Sequence, residues 1–202
     1  MRPRQVFSAY PQSDHRTQRL RERRHCIACG VPCATEEIAG GLRYRCRACG
    51  ATQYRNPAPA VAVLIADRDR FVLGRRQSRS LGHGLWCLPC GYIEYEEDHL
   101  SAALREVREE TTLEVRIESI LSVVTNYLQP EVHSLVTVLE ASVTGGELQA
   151  GDGLTEARWF TYTGQFPEMA FAADTHIISR FFETGLKGAP VDPAYARAGA
   201  PP

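Results

Sequence analysis

The spacing of apolar and polar positions divides the chain into elements before any chemistry is considered. Residues 60–67 form a near-continuous apolar run, Val61, Val63, Leu64 and Ile65 among them, and read as a buried strand. Asp67-Arg68-Asp69 then makes a turn into a second strand over 71–76, a hairpin arrangement that starts a mixed sheet. Between Glu96 and Glu110 the period changes: Leu100, Ala103, Leu104 and Val107 recur at i, i+3, i+4 and i+7 and predict a helix with one buried stripe. Strand patterning returns over 115–124 and 134–143, the second an apolar run of Leu135, Val136, Val138 and Leu139 such as a strand buried on both faces would show, and Arg158-Trp159-Phe160 starts or forms another strand. Ile177, Ile178, Phe181 and Phe182 mark a C-terminal amphipathic helix.

Punctuation places the boundaries. Tyr54-Arg55-Asn56-Pro57, reinforced by Pro59, forces an extended path into the apolar run and separates a small leading module from the main one. The expected organisation is a basic disordered extension over 1–25, a metal ribbon over 26–55, a catalytic domain over 56–188, and a loose Ala-, Pro- and Gly-rich tail over 189–202. A chain of 202 residues, 44% hydrophobic, suffices for one good core with an appendage. The longest apolar run, 58–66, is far short of the ~20 residues a membrane-spanning helix needs. A net charge of −1 lacks the excess that sequence-independent nucleic-acid binding requires. The first 25 residues do carry seven Arg against only Asp14 and Glu22, without the apolar stretch of a secretory signal. The expected setting is cytoplasmic.

Seven cysteines sharpen the picture. Cys26-x2-Cys29 and Cys46-x2-Cys49, sixteen residues apart, have the spacing of a zinc site, and a Gly follows each pair where the backbone must turn tightly. Four thiolates would close the coordination shell, so the expected Zn2+ is structural. Cys33 is the weaker alternative ligand, because no Gly follows it. Cys87-Leu88-Pro89-Cys90 has the spacing of a redox motif, but it precedes a loop rather than opening a helix, which favours packing over redox catalysis. His83, His99, His133 and His176 are scattered and suit surface or packing roles.

On the predicted helix, Glu106, Glu109 and Glu110 group to one side of the apolar stripe at roughly 100° per residue, with Arg105 beside them. Acidic helix faces are usually no more than solvated surface. The wider pattern changes that reading: Gly91, five residues, Glu97, seven residues, then Arg105-Glu106-Val107-Arg108-Glu109-Glu110 resembles the box that defines the Nudix hydrolases. Thr112 stands where that box has its closing Gly, a residue that would permit a positive φ at the helix end.

The resemblance implies an α+β Nudix fold, a mixed β-sheet between helices, preceded here by the zinc ribbon. It also implies pyrophosphate hydrolysis with Mg2+ or Mn2+ held by Glu106, Glu109 and Glu110, with Glu97 supporting them and Arg105 orienting a glutamate. The general base is expected from the box or from a later acidic residue, Glu131 or Glu156. A zinc ribbon joined by Tyr-x-Asn-Pro to such a domain is similar to a group of NADH, ADP-ribose and FAD pyrophosphatases. The Trp-containing motif of the NADH branch is absent from 121–130. The expected substrate is therefore ADP-ribose or a related ADP-linked compound cleaved with release of AMP, with Tyr127, Glu131, Glu156 and Phe171 as candidate contacts. Two alternatives remain: a non-catalytic ligand sensor, or an RNA-cap-related protein whose ribbon and basic arm touch nucleic acid. A homodimer is left open.

Overall fold

In the computed structural model the described residues are 6–8, 25–77, 81–129 and 132–196. The strands are β1 (Val6–Ser8), β2 (Cys33–Ile38), β3 (Gly41–Cys46), β4 (Thr52–Gln53), β5 (Ala58–Asp67), β6 (Arg70–Arg76), β7 (Trp86–Cys87), β8 (Cys90–Tyr92), β9 (Glu114–Gln129), β10 (Val132–Gly145), β11 (Leu154–Thr161) and β12 (Ala189–Pro190). Two helices accompany them, α1 (His99–Thr111) and α2 (Ala172–Thr184).

One mixed sheet runs β1-β9-β10-β5-β6-β11, with β12 beside β9, β7 beside β6 and β8 beside β5. The apolar run of β5 explains its central position. Val61, Val63 and Ile65 pack on one face with Val107 of α1, while Ala60, Ala62 and Leu64 pack on the other with Ile177 and Ile178 of α2. Successive side chains of a strand point to opposite faces, so an unbroken apolar run fits only a strand covered on both sides. The expected mixed sheet between helices is present. The ribbon folds separately as the three-stranded sheet β2-β3-β4.

Several boundaries moved for identifiable reasons. Asp98 caps α1 by accepting from the N–H groups of Leu100 at 2.7 Å and Ser101 at 3.0 Å, so the helix starts later than Glu96. β9 runs beyond Val124 because β10 continues to pair with it as far as Gln129. The segment expected to be a loose tail docks instead: Ala189 and Pro190 pair with Ile120 and Ser119, Ala196 is buried, and its carbonyl accepts from the Ile117 N–H. Composition missed this because the edge of β9 offers hydrogen bonds that any backbone can take. Most of 1–25 lies outside the described residues, but Val6–Ser8 run parallel to Thr125, Asn126 and Tyr127, so that part of the extension joins the sheet. Among the described residues no helix is long and apolar enough to cross a membrane.

Candidate functional site

The four predicted zinc ligands come together. Sγ separations are 3.4 Å for Cys29–Cys46, 3.6 Å for Cys29–Cys49 and 3.7 Å for Cys26–Cys49, and all four sulfurs lie within 4.8 Å of one another. Each knuckle closes the same way: the N–H of Gly30 donates to Cys26 O and that of Gly50 to Cys46 O, with φ of 73° and 74° that suit Gly. Backbone N–H groups also point at sulfur, from Ala28 to Cys26 and from Cys49 to Cys46. These donors favour thiolates at two positions, lowering Cys26 and taking Cys46 down to about 6, whereas Cys29, despite a backbone bond at Val31, is pushed up to about 12 by the neighbouring sulfurs, led by Cys46. The cluster fits a structural metal of the zinc type. Cys33 faces Cys46 across β2 and β3 and accepts from Gln53 Nε2, outside the group of four.

The carboxylates gather around one cation. Arg105 donates Nε and Nη2 to the two oxygens of Glu97 at 2.6 and 2.8 Å, and Nη1 to Glu106 at 2.7 Å and Glu109 at 3.0 Å. Nη2 also reaches the Tyr92 carbonyl. This fork fixes three glutamates by one planar group, which a lysine could not do. Glu110 is held differently, accepting from the Cys90 N–H at 2.9 Å. Contrary to the sequence expectation of an exposed flank, Glu110 is buried and Glu106 largely so. The reason is that α1 buries Ala102 and Thr111 in addition to Ala103 and Val107, so its covered face is broader than the predicted stripe. Burial raises Glu106 and pushes Glu110 up to about 8.

Glycines make the packing feasible. A Cβ on Gly91 would lie 2.0 Å from Glu106 Oε1, so only Gly lets the loop approach the carboxylate. Thr112 adopts the left-handed conformation in spite of its β-branch, with φ 58° and ψ 5°. Its N–H donates to Arg108 O and its hydroxyl to the Glu147 carbonyl, so a side-chain bond offsets part of the backbone cost. The box geometry survives the missing Gly.

Glu106, Glu109 and Glu110 each keep one carboxylate oxygen without a hydrogen bond among the described residues. Hard oxygen donors left free in this way suit Mg2+ or Mn2+. They do not converge as tightly as the sulfurs, for among the described residues only the cysteines form a cluster within 4.8 Å. Mg2+ commonly retains several waters, which bridge such gaps.

The remaining candidates scatter. Glu131 lies outside the described residues. Glu156 sits on β11, ion-paired with Arg158. Tyr127 packs edge-on to His133 at 4.6 Å, whereas its neighbour Asn126 lines an open cleft on the α2 side of the sheet. Phe171 lines that cleft under the Arg76 guanidinium, 5.2 Å from its ring centre. Arg76 Nη1 also contacts the sulfurs of Cys87 and Cys90 at 3.5 and 3.7 Å. The Cys90 thiol is pushed well up by its contact with Cys87 and by burial, the opposite of what a reactive thiolate needs. Sequence reading missed Asp152. Its backbone N–H donates to Glu109 O, Gly151 N–H donates to Glu110 O, and its charge is felt at Glu110. The Gly151-Asp152-Gly153 triplet was the available signal, since a Cβ on Gly151 would lie 1.9 Å from Glu109 O.

A loop, a carboxylate-bearing helix and a second loop, laid over a mixed sheet between helices, define a class of hydrolase domain. The NUDIX domain model matches residues 56–181, and the chain belongs to the Nudix hydrolase family. It is 32% identical over 142 residues to an NAD-capped RNA hydrolase NudC of Pseudomonas fluorescens, covering 70% of this chain and 49% of that protein. It is 34% identical over 119 residues to an ADP-ribose pyrophosphatase of Methanocaldococcus jannaschii, covering 58% of this chain and 69% of that protein. The chain thus spans about half the length of the NudC relative. Among solved structures, a Nudix hydrolase from Nitrosomonas europaea superimposes with a TM-score of 0.71 at 24% identity, covering 82% of this chain and 95% of that one, a likeness of fold.

Proposed function

We propose that the chain is a divalent-metal-dependent pyrophosphohydrolase that cleaves ADP-ribose or a related ADP-linked compound and releases AMP. The observation that carries this reading is the Arg105 fork, which holds Glu97, Glu106 and Glu109 as a fixed set beside Glu110. Glu106, Glu109 and Glu110 would hold Mg2+ or Mn2+, with Glu97 as support. When bound, the ion neutralises diphosphate charge and acidifies water.

The chain's own residues do the remainder. Arg105 limits repulsion within the cluster by holding one oxygen each of Glu106 and Glu109, and Gly91 leaves room for the Glu106 carboxylate against the loop. Water attacks one phosphorus, the P–O anhydride bond breaks, and the water's proton passes to a carboxylate. A box glutamate, Glu131 and Glu156 are the candidates for that base, joined by Asp152, which its loop brings to the end of α1. ADP-ribose as substrate draws on the likeness to the Methanocaldococcus jannaschii protein.

A second substrate, NAD-capped RNA, draws on the NudC relatives. Product analysis after incubation with ADP-ribose, NADH, FAD and NAD-capped RNA in Mg2+ or Mn2+ separates them. Fastest AMP release from ADP-ribose is expected. A strong preference for nucleoside triphosphates over all four would overturn the ADP-linked assignment.

A further inference from the structure

The residues that link β7 to β8 change partners within the sheet, and a side chain of α2 holds them as they do so. Cys87 of β7 pairs with Gly74 of β6, whereas Cys90 of β8 pairs with Ala62 of β5. Leu88 and Pro89 lie between the two strands, and Leu88 is fully buried. A backbone N–H buried in such a crossover must find its acceptor outside the ladder. For Leu88 that acceptor is Asp174 Oδ2, at 3.0 Å. Pro89 has no N–H to place, and its carbonyl accepts from Val63 of β5 at 2.9 Å. The next N–H, that of Cys90, donates to Glu110 of α1 at 2.9 Å.

Two buried carboxylates, from helices on opposite faces of the sheet, thus grip successive N–H groups of one short segment. Arg76 Nη1, against the sulfurs of Cys87 and Cys90, braces the same segment at both ends. Glu110 spends one oxygen on Cys90, so the direction of its other oxygen depends on where the Cys90 N–H stands. That position is set by the β8 pairing, the Val63 bond and the Asp174 bond together. Without the Asp174 acceptor the buried Leu88 N–H is left unpaired, and the segment relieves this only by shifting, which carries Cys90 with it.

We propose that Asp174 is a positioning residue for the carboxylate cluster: through the 88–90 segment it sets the place of Glu110, and with it the affinity of the site for a divalent cation. The inference rests on the reading above that Glu110 holds that cation. What the Leu88 N–H requires is an acceptor rather than a charge, so Asn serves at this position where Ala does not. Supporting bonds of this kind are typically worth about 10- to 100-fold in metal affinity.

Titration of the full zinc-replete chain with Mn2+, the free ion being read by electron paramagnetic resonance, tests this without turnover. Asp174→Ala should weaken Mn2+ binding by about 10-fold or more, and Asp174→Asn should restore it to within about 3-fold of the wild type. Ile178→Ala, at an equally buried position of α2, should lower the melting temperature and leave Mn2+ affinity unmoved. In a Glu110→Gln background Asp174→Ala should have no further effect, because the ligand it positions is gone. If the alanine variant does not fold, hydrogen exchange of the wild type reads the same link: coupling is reciprocal, so Mg2+ should slow exchange of the Leu88 amide as well as that of Cys90. Four results overturn the proposal while leaving Glu110 as a ligand: unmoved Mn2+ affinity in Asp174→Ala, an Asp174→Asn variant as weak as Asp174→Ala, an equal loss in Ile178→Ala, or a Leu88 amide indifferent to Mg2+. Mn2+ affinity unmoved in Glu110→Gln overturns the proposal and the ligand role of Glu110 together.

Discussion

Asp174 provides a test of the core that does not depend on substrate. It is 5% exposed in the first turn of α2 and accepts from the Leu88 N–H at 3.0 Å. Burial pushes its carboxyl up to about 7, against the opposing pull of that hydrogen bond and of Arg76. In the unfolded chain an aspartate ionises near 3.9. Between these values the native form keeps a proton that the unfolded form has released, so stability falls as pH rises, by about 1.4 kcal/mol per unit. From about pH 5 to about pH 8 the loss amounts to about 3 kcal/mol, a large part of a typical domain's 5–15 kcal/mol. Asn at this position retains an acceptor for Leu88 and has no proton to lose. Urea denaturation of the wild type and Asp174→Asn across that range should therefore give a difference that grows toward the variant's favour by about 3 kcal/mol and levels off above pH 7. Glu110 also titrates in this region, but it is common to both proteins and cancels. Curves that stay parallel from pH 5 to pH 8 would show that Asp174 is already ionised in the fold, and the reasoning from burial would fail.

The box and the ribbon give further tests. Gly91→Ala should leave the melting temperature nearly unchanged, because only the flexible end of Glu106 must move, yet lower kcat by about 100-fold by displacing that carboxylate. An unchanged kcat would remove Glu106 from the chemistry. Thr112→Val should cost about 1 kcal/mol in denaturant titration, through loss of the hydroxyl bond to Glu147 O. Thr112→Gly should cost less, since relief of the left-handed strain offsets the lost bond; equal costs would mean that the strain is absent. Metal analysis should find one Zn2+ per chain in the wild type and in Cys33→Ser, and none in Cys46→Ser. Loss of zinc from Cys33→Ser would make that thiol a ligand.

Much of the fold was legible because its signals are local. The apolar run of β5 marked a buried strand and the change of period after Glu96 marked α1, whereas the run over 134–143, expected to be covered on both faces, leaves Leu135 half exposed. The paired Cys-x2-Cys-Gly segments were legible for the same reason, each knuckle being closed by its own five residues. What could not be read depends on neighbours distant in sequence. Docking of Ala189–Pro190 is decided by the free edge of β9. Tyr127 and Asn126 lie next to each other in sequence, yet strand alternation sends one toward His133 and the other into the cleft, and sequence alone does not say which face is which. The burial of Glu110 follows from how deeply α1 sinks into the sheet and the loop carrying Gly151, contacts that no helical wheel contains.

The most direct measurement of the central claim is steady-state release of AMP from ADP-ribose in Mg2+ by the wild type and by Glu109→Gln, each checked for an intact fold by its melting temperature. The proposal predicts turnover in the wild type, none without divalent metal, and a loss of at least about 100-fold in the variant. A well-folded, zinc-replete wild type that binds ADP-ribose but never cleaves it would contradict the enzyme reading and leave a ligand sensor in its place.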